Sequence, residues 1–316
     1  MTYKKEYISI ILVHYHQIQT TWECVESLLS SEYPDFNIII IDNGSEKSDP
    51  CMFKRSCSER GLHFGYLGGN RIDLLFDRHV YWHSSPVNLG YAGGMNLGAK
   101  LAASGNPDYL LLLNNDTIIP KRFLGDFLSG LGSITERQDF GFAGCLIHTW
   151  PDKTVWYAGG NLNLRRGMGE HFNTLPHYGV TVETGFITGC CLLCHPDVYK
   201  QLNGMDEDYF LYLEDVDLCY RSIKQGYKLF FVPRAELFHR VGSSTGGDEK
   251  PLSVYYSSRN RILFMRKHFK GLHLFRFYIF FLPSRLFKVI QWILFGEVNL
   301  VVSLLKGVFE GFKEKK

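Results

Sequence analysis

The stretch Tyr109-Leu-Leu-Leu-Leu-Asn-Asn-Asp-Thr117 joins a continuous apolar run to an abrupt polar end that carries a carboxylate, Asp116. Continuous rather than alternating apolar character marks a strand buried on both faces. Two earlier runs share this design. Ile8 to Val13 ends in His14-Tyr15-His16, and Ile38 to Ile41 ends in Asp42-Asn43-Gly44-Ser45. Helical spacing fills the intervals, with Trp22, Val25, Leu28 and Leu29 inside Thr20 to Ser30, and an Ala-, Leu- and Gly-rich stretch from Tyr91 to Ala103. Strand, helix, strand in this order predicts right-handed βαβ units and a mostly parallel sheet flanked by helices. Ligands of such sheets bind at the carboxyl ends of the strands. One polar terminus would carry little, since Asp-Asn-Gly is also a common turn, but three of them point to a single site.

The 316 residues, 45% of them hydrophobic and 15% aromatic, suffice for one large α/β domain with an appendage or for two small domains. A formal net charge of +2 gives no global attraction to nucleic acid, and no nucleic-acid partner is expected. Among eight cysteines, Cys190, Cys191 and Cys194 lie in Cys-Cys-Leu-Leu-Cys, which suits neither a zinc ribbon nor a disulfide scaffold. They read as small buried apolar side chains in a reducing compartment. Lys4 and Lys5 precede an apolar run that stops at His14, too short for a secretory signal. No run of about 18 consecutive apolar residues occurs, so a conventional membrane span is not expected and a cytoplasmic protein is.

From about Phe140 shorter strands with turn signals are expected, among them Ala158-Gly-Gly-Asn161. A helix should follow Glu214, run to about Gln225 and be closed by Gly226. Lys228 to Val232 reads as a strand stopped by Pro233, followed by a Gly/Ser/Thr-rich loop from Gly242 to Gly247 and then by helix to the end. The final segment carries the apolar clusters Tyr278-Ile-Phe-Phe-Leu282 and Val289-Ile-Gln-Trp-Ile-Leu-Phe295, broken by Arg276, Arg285 and Lys288. Such helices either lie in a membrane interface with their cations at headgroup level or pack on the catalytic domain or on a second subunit.

Three motifs carry chemistry. Asn88-Leu-Gly-Tyr-Ala-Gly-Gly-Met-Asn-Leu-Gly98 has glycines at 90, 93, 94 and 98 but lacks the Gly-x-Gly-x-x-Gly order, which disfavours a dinucleotide-dependent dehydrogenase. These glycines let backbone approach either a ligand or a packed neighbour. Asp116 either caps a helix starting near Pro120 or binds a hard divalent cation whose shell diphosphate oxygens and water complete. The cation is favoured because acids recur downstream at 206, 207, 208, 214, 215 and 217. A helix N-terminus accounts for Asp217, but less well for Glu214 and Asp215 beside large apolar side chains. Clustered, desolvated carboxylates raise one another's pKa, which is how a general base is tuned. His239 is either a packing residue or a second ligand for the cation of Asp116.

In this order the motifs resemble the family-2 glycosyltransferases of the GT-A fold, over about Ile8 to Ser244, and look closest to the bacterial rhamnosyltransferase branch. The resemblance implies an α/β GT-A domain over 1–245, with a nucleotide-sugar half to about 118 and an acceptor half from about 119. Residues 246–316 would form a C-terminal helical segment that meets a membrane or a second copy. It implies an inverting transfer from a nucleotide-sugar donor, dTDP-rhamnose or a UDP-sugar, to a glycan or polyprenyl-linked acceptor. Asp42 would meet the nucleobase and ribose, and His14, Tyr15, Asn88, Gly90, Gly94, Asn96, Asn114 and Asn115 the rest of the donor. Asn114 and Asp116 fill the family's Asp-x-Asp position, with Asn in place of the first Asp, and Asp116 with His239 would hold Mg²⁺ or Mn²⁺. Asp215 would be the general base, supported by Glu214, with Thr188 and Gly189 on the acceptor side. The first strand departs from the family's Thr-Tyr-Asn pattern with His14-Tyr15-His16. A glycoside hydrolase could also use clustered carboxylates, but needs no glycine-lined nucleotide groove. A non-catalytic nucleotide-sugar binder would have no use for Asp215.

Overall fold

The computed structural model describes residues 6–45, 50–68, 79–134, 139–175, 179–240 and 250–313. Lys4, Lys5 and the Gly242–Gly247 loop lie outside the described residues. The chain alternates as β1 (Ile8–His14), α1 (Ile18–Leu29), β2 (Phe36–Asn43), α2 (Cys51–Glu59), β3 (Phe64–Tyr66), β4 (Val80–Ser85), α3 (Gly90–Ala102) and β5 (Tyr109–Asn114). Next come β6 (Thr117–Ile118), α4 (Phe123–Leu131), β7 (Phe140–Thr149), β8 (Val155–Tyr157), β9 (Gly160–Asn163), β10 (Met168–His171), β11 (Val182–Thr184), β12 (Cys191–Cys194), α5 (Pro196–Gln201), α6 (Glu214–Lys224) and β13 (Lys228–His239). Three helices follow, α7 (Pro251–His268), α8 (Gly271–Leu294) and α9 (Val298–Lys313).

The main sheet has the strand order β11-β13-β7-β12-β5-β1-β2-β4-β3, with β6 paired to β13 and β8 to β7. β1, β2, β3, β4 and β5 run parallel, as do β7 and β13. β12 lies between β5 and β7 and is antiparallel to both. β1 and β2 are buried almost end to end, as their unbroken apolar character requires. Register brings the polar termini level, with His14 opposite Asp42 and Val13 opposite Asn114. This is a mixed α/β sheet of the GT-A kind. All eight cysteines are free and all but Cys51 are buried.

Three expectations need correction. β7 is ten residues long rather than short, because eight of them are buried in the sheet. Pro233 does not stop β13, since the register against β7 shifts between Val232 and Glu236. Proline, with no N–H to donate, sits in that irregularity, and the strand resumes to His239. The C-terminal apolar clusters, not expected to make a conventional membrane span, are joined in one helix. α8 runs for 24 residues, is long and apolar enough to cross a bilayer, and is mostly exposed. At about 1.5 Å per residue it is roughly 36 Å long.

α7 does not hang off the domain, because Ile262, Leu263, Phe264 and Met265 belong to the same core as the sheet. α3 packs on β1 through glycines. A Cβ at Gly98 would overlap the Ile11 side chain, whereas one at Gly125, on α4, would meet nothing within 4 Å. The same substitution should therefore have opposite signs at the two sites. Gly98→Ala should lower stability by about 1–3 kcal/mol through overpacking. Gly125→Ala should raise it by about 0.5–1 kcal/mol through helix propensity. Urea midpoints at unchanged slope would read both effects.

Candidate active site

β6 leaves the end of β5 and pairs with β13 so that Thr117 faces His239. This pairing sets Asp116 beside His239, and the Arg240 N–H donates to the Asp116 carbonyl at 3.0 Å. His239 Nε2 lies 3.1 Å from Asp116 Oδ1, and each residue is only 5% exposed. The approach suits an ion pair but misses hydrogen-bond direction, and neither ring nitrogen of His239 makes a hydrogen bond among the described residues. The Trp156 ring stands edge-on to the imidazole, 4.9 Å between centres. Buried polar atoms are normally satisfied. An imidazole without hydrogen bonds beside a carboxylate therefore fits a divalent cation as a two-residue donor set. No group of three or more His, Cys, Asp or Glu occurs among the described residues.

The carboxylate pair stands at the start of α6, after a loop with left-handed backbone at Phe210, Tyr212 and Leu213 (φ 61°, 68° and 69°). Each such residue costs about 1–2 kcal/mol, so the loop needs outside support. Asn260 of α7, fully buried, directs its Nδ2 to the carbonyls of Tyr209, Leu211 and Tyr212, each at 2.8 Å. From the other side the Tyr91 N–H donates to the Phe210 carbonyl at 2.6 Å. That approach is open only because residue 90 is glycine, since a Cβ there would overlap the Phe210 ring.

Asp215 accepts the Gly189 N–H and the Val216 N–H, both at 2.8 Å. Burial raises its carboxyl, and these N–H groups oppose the rise. Glu214 has only its own backbone N–H to oppose the rise. Its Oε2 makes no hydrogen bond among the described residues, and burial, followed by the charge of Asp215, pushes its pKa up to about 8. Burial thus leaves Glu214 holding a proton near neutral pH, while backbone N–H groups oppose the rise that burial imposes on Asp215. The Thr188–Cys190 turn links this pair to the first cluster. The Asn114 N–H donates to the Cys190 carbonyl at 2.9 Å, and the Tyr91 hydroxyl donates to the Gly189 carbonyl at 2.7 Å. The Cys190 thiol is pushed well up by burial, then by the charge of Asp116, with Asp215 contributing. Thr188 is buried in the same turn.

The remaining expected residues divide. Tyr15 is exposed at the end of β1. Asp42, at the end of β2, accepts the Ser45 N–H at 3.2 Å. His14, by contrast, is wholly buried, with Nδ1 2.8 Å from Thr21 Oγ1. Burial pushes its pKa down to about 4, so it is a neutral core imidazole and not a donor contact. Asn115 donates to the same Thr21 hydroxyl at 2.7 Å. Asn88 accepts from Asn43 Nδ2 at 3.0 Å and from the Gly90 N–H at 2.8 Å, closing the entry to α3. Gly94 admits Val13, whose Cγ2 would lie 2.8 Å from a Cβ. Asn96 is spent on Met205, Glu207 and Tyr199. His14, Gly94 and Asn115 are buried in the packing behind the strand ends and Asn96 is half-buried, whereas Asn88 is exposed at the entry to α3.

Sequence reasoning missed Asn43, Tyr91 and Asn260. Asn43 lay within a noted motif, while Asn260 carried no local signal. Asp217, expected only to suit a helix start, is a buried hub. It accepts from Tyr209 Oη at 3.1 Å, His268 Nε2 at 2.6 Å, Lys267 Nζ at 3.1 Å and Arg221 Nε at 2.5 Å. Burial would raise its carboxyl, but the His268 hydrogen bond and the charges of Arg221 and Lys267 outweigh it and hold it well below the ordinary carboxylate range.

A strand-end site of this kind on a GT-A sheet belongs to the nucleotide-sugar-dependent transferases. The Glycosyl transferase family 2 model matches residues 9–201, and the chain belongs to that family. It is 25% identical over 244 residues to the O-antigen biosynthesis protein RfbC of Myxococcus xanthus, covering 74% of this chain and 17% of that protein. The chain thus spans about a sixth of that relative's length. Over 64 residues, 20% of this chain and 21% of the relative, it is 45% identical to the N-acetylglucosaminyl-diphospho-decaprenol L-rhamnosyltransferase of Mycobacterium tuberculosis. Among solved structures, the mannosyltransferase PcManGT of Pyrobaculum calidifontis, in complex with GDP-Man and Mn²⁺, shares the fold. Its TM-score is 0.60 at 10% identity, covering 99% of this chain and 89% of that one.

The raised carboxyl of Glu214 has a consequence for stability. A group whose folded pKa lies above its unfolded value stabilises fully below the unfolded value, near 4.5, and loses that contribution as pH rises through about 8. Glu214→Gln, which mimics the protonated form, should remove this slope. The Tm of the parent protein should fall relative to the variant between pH 5 and about 8.5, and parallel curves would contradict the assignment.

Proposed function

We propose that this chain transfers a sugar from a nucleoside-diphosphate sugar to a hydroxyl of a glycan or lipid-linked glycan, by a single displacement that inverts the anomeric centre. The observation that carries the reading is the pairing of two sites across one turn. Asp215, which accepts two N–H groups beside a protonated Glu214, contacts the Thr188–Cys190 turn, and Asp116 with His239 lies at the other end of that turn. In this reading Asp215 removes the proton from the acceptor hydroxyl. Glu214, neutral and buried, keeps a second negative charge away from the incoming nucleophile. Tyr15 and Asp42 face the nucleoside, and Thr188 and Gly189 border the acceptor.

Asp116 and His239 would hold the cation, which neutralises charge on the departing diphosphate when bound. A carboxylate suits Mg²⁺ or Mn²⁺, and the added imidazole favours Mn²⁺. The same ion accompanies GDP-Man in PcManGT. The donor we favour is dTDP-rhamnose, supported by the similarity to the mycobacterial rhamnosyltransferase, and the second choice is a UDP-sugar. Residues 1–118 serve the donor and 119–245 the acceptor. The C-terminal helices serve as a peripheral membrane surface on the cytoplasmic side. That placement is supported by exposed Leu282, Leu286, Phe287, Ile290 and Ile293. Between 251 and 313, ten basic residues stand against two acidic ones, Glu297 and Glu310.

Asp215→Asn should retain donor binding and lose about 10²–10⁴-fold in turnover. Unchanged turnover would remove Asp215 from the role of base. Asp116→Ala and His239→Ala should each abolish the EDTA-sensitive part of dTDP or UDP binding in titration calorimetry with Mn²⁺. Retention of that part in both variants would refute the two-residue cation site.

A further inference from the structure

Arginines from three separate elements meet beside α8. Arg166 lies in the turn between β9 and β10 with Arg165, Arg261 is on α7, and Arg285 is on α8. The Arg261 guanidinium sits 4.9 Å from the centre of the Phe281 ring, and that of Arg285 lies 5.3 Å from the same ring. Arg165 lies 5.2 Å from the adjacent Phe280. Arg261 is only 6% exposed, and its Nε donates to the Arg166 carbonyl at 2.7 Å. Gly167 lets the turn seat against Met265 and Phe277, fixing it to α7 and α8.

The charges do not balance. Glu170, 3.1 Å from Arg166, is the one carboxylate paired with any of the four among the described residues. Arg261 and Arg285 have no acidic partner there. Burial, then the charges of Arg285 and Arg166, pulls the Arg261 guanidinium down to about 9, so it stays charged at neutral pH. Buried like charges with no counterion are costly, because burial removes the water that would solvate and screen them. Guanidinium forks match phosphate oxygens. The opening is set by exposed Arg165 and Arg166 on one side and by exposed Leu282 and Leu286, which flank Arg285, on the other. The three arginines 166, 261 and 285 against the one carboxylate Glu170 leave an excess of two positive charges, which the single charge of a phosphodiester does not neutralise and the two charges of a diphosphate diester do. Asn260, beside Arg261 in sequence, holds the loop that delivers Glu214 and Asp215.

We propose that Arg166, Arg261 and Arg285 bind the diphosphate of a lipid-linked acceptor whose chain lies along the apolar face of α8. This rests on the reading of the chain as a transferase with a lipid-linked acceptor, and it names the group by which that acceptor is held.

The full chain should be floated with phosphatidylcholine vesicles that carry a long-chain polyprenyl diphosphate, or phosphatidylglycerol at matched surface charge. The parent protein should bind the diphosphate vesicles about tenfold more tightly than the phosphatidylglycerol ones. Arg166→Gln/Arg285→Gln should lose that difference while retaining phosphatidylglycerol binding and Mn²⁺-dependent binding of dTDP or UDP. Equal binding to both vesicle types, or a diphosphate preference untouched by the double substitution, would overturn the proposal. Nucleotide binding reads the donor site separately, so loss of that reading is distinguishable from loss of this one. Arg166→Gln alone, at an exposed position, should weaken the preference in the same direction and serves if the double variant does not fold.

Discussion

One antiparallel strand set among parallel neighbours holds the site together. Because β12 runs against β5, the turn that enters it stands at the carboxyl end of β5, where Asn114 and Asp116 emerge. That turn gives the Gly189 N–H to Asp215 and the Cys190 carbonyl to Asn114. A parallel strand in the same place would bring its entering turn to the opposite edge of the sheet. The short pairing of β6 with β13 completes the arrangement by bringing His239 back to Asp116. Residues separated by a hundred positions or more thus share one small region, and strand direction is the cause.

The protein treats its buried charges in three ways, and each follows from what surrounds the group. Asp217 is surrounded by donors and cations, stays ionised and ties α6 to the end of α7. Glu214 lacks such partners and is protonated near neutral pH, which removes the cost of its burial. Asp215 lies between these extremes, partly buried and held by backbone N–H groups at the start of a helix, which oppose the upward push of burial on its carboxyl. Environment alone separates three acids that stand within four positions of each other.

The loop before α6 also explains why α7 is part of the domain. Three left-handed residues in four positions would not persist unaided, and Asn260 satisfies the carbonyls that this conformation leaves turned inward. Gly90 allows α3 to brace the loop from the opposite side. The loop before α6 is thus held by the same helix, α7, that joins the C-terminal helices to the core of the sheet.

Much was legible from local pattern. Continuous apolar runs identified β1, β2 and β5, whose polar ends lie level in the sheet, and residue type and order singled out Asp116, Asp215 and His239 as candidates. Periodicity reports which residues form an element, because it reflects contacts made within a few positions. It does not report which way a polar side chain turns once two elements pack, so His14, Asn96 and Asn115 read as ligand contacts and proved to be frame. It did not show that Pro233 would fall in a strand irregularity, since that depends on the register against β7. Nor did it show Asn260 or the arginines around Phe281, whose partners lie tens of positions away. The sequence by itself determined the elements and the chemistry available at their ends. Only the tertiary structure decided which of those groups meet, because strand order, strand direction and packing are set by long-range contacts that no local window contains.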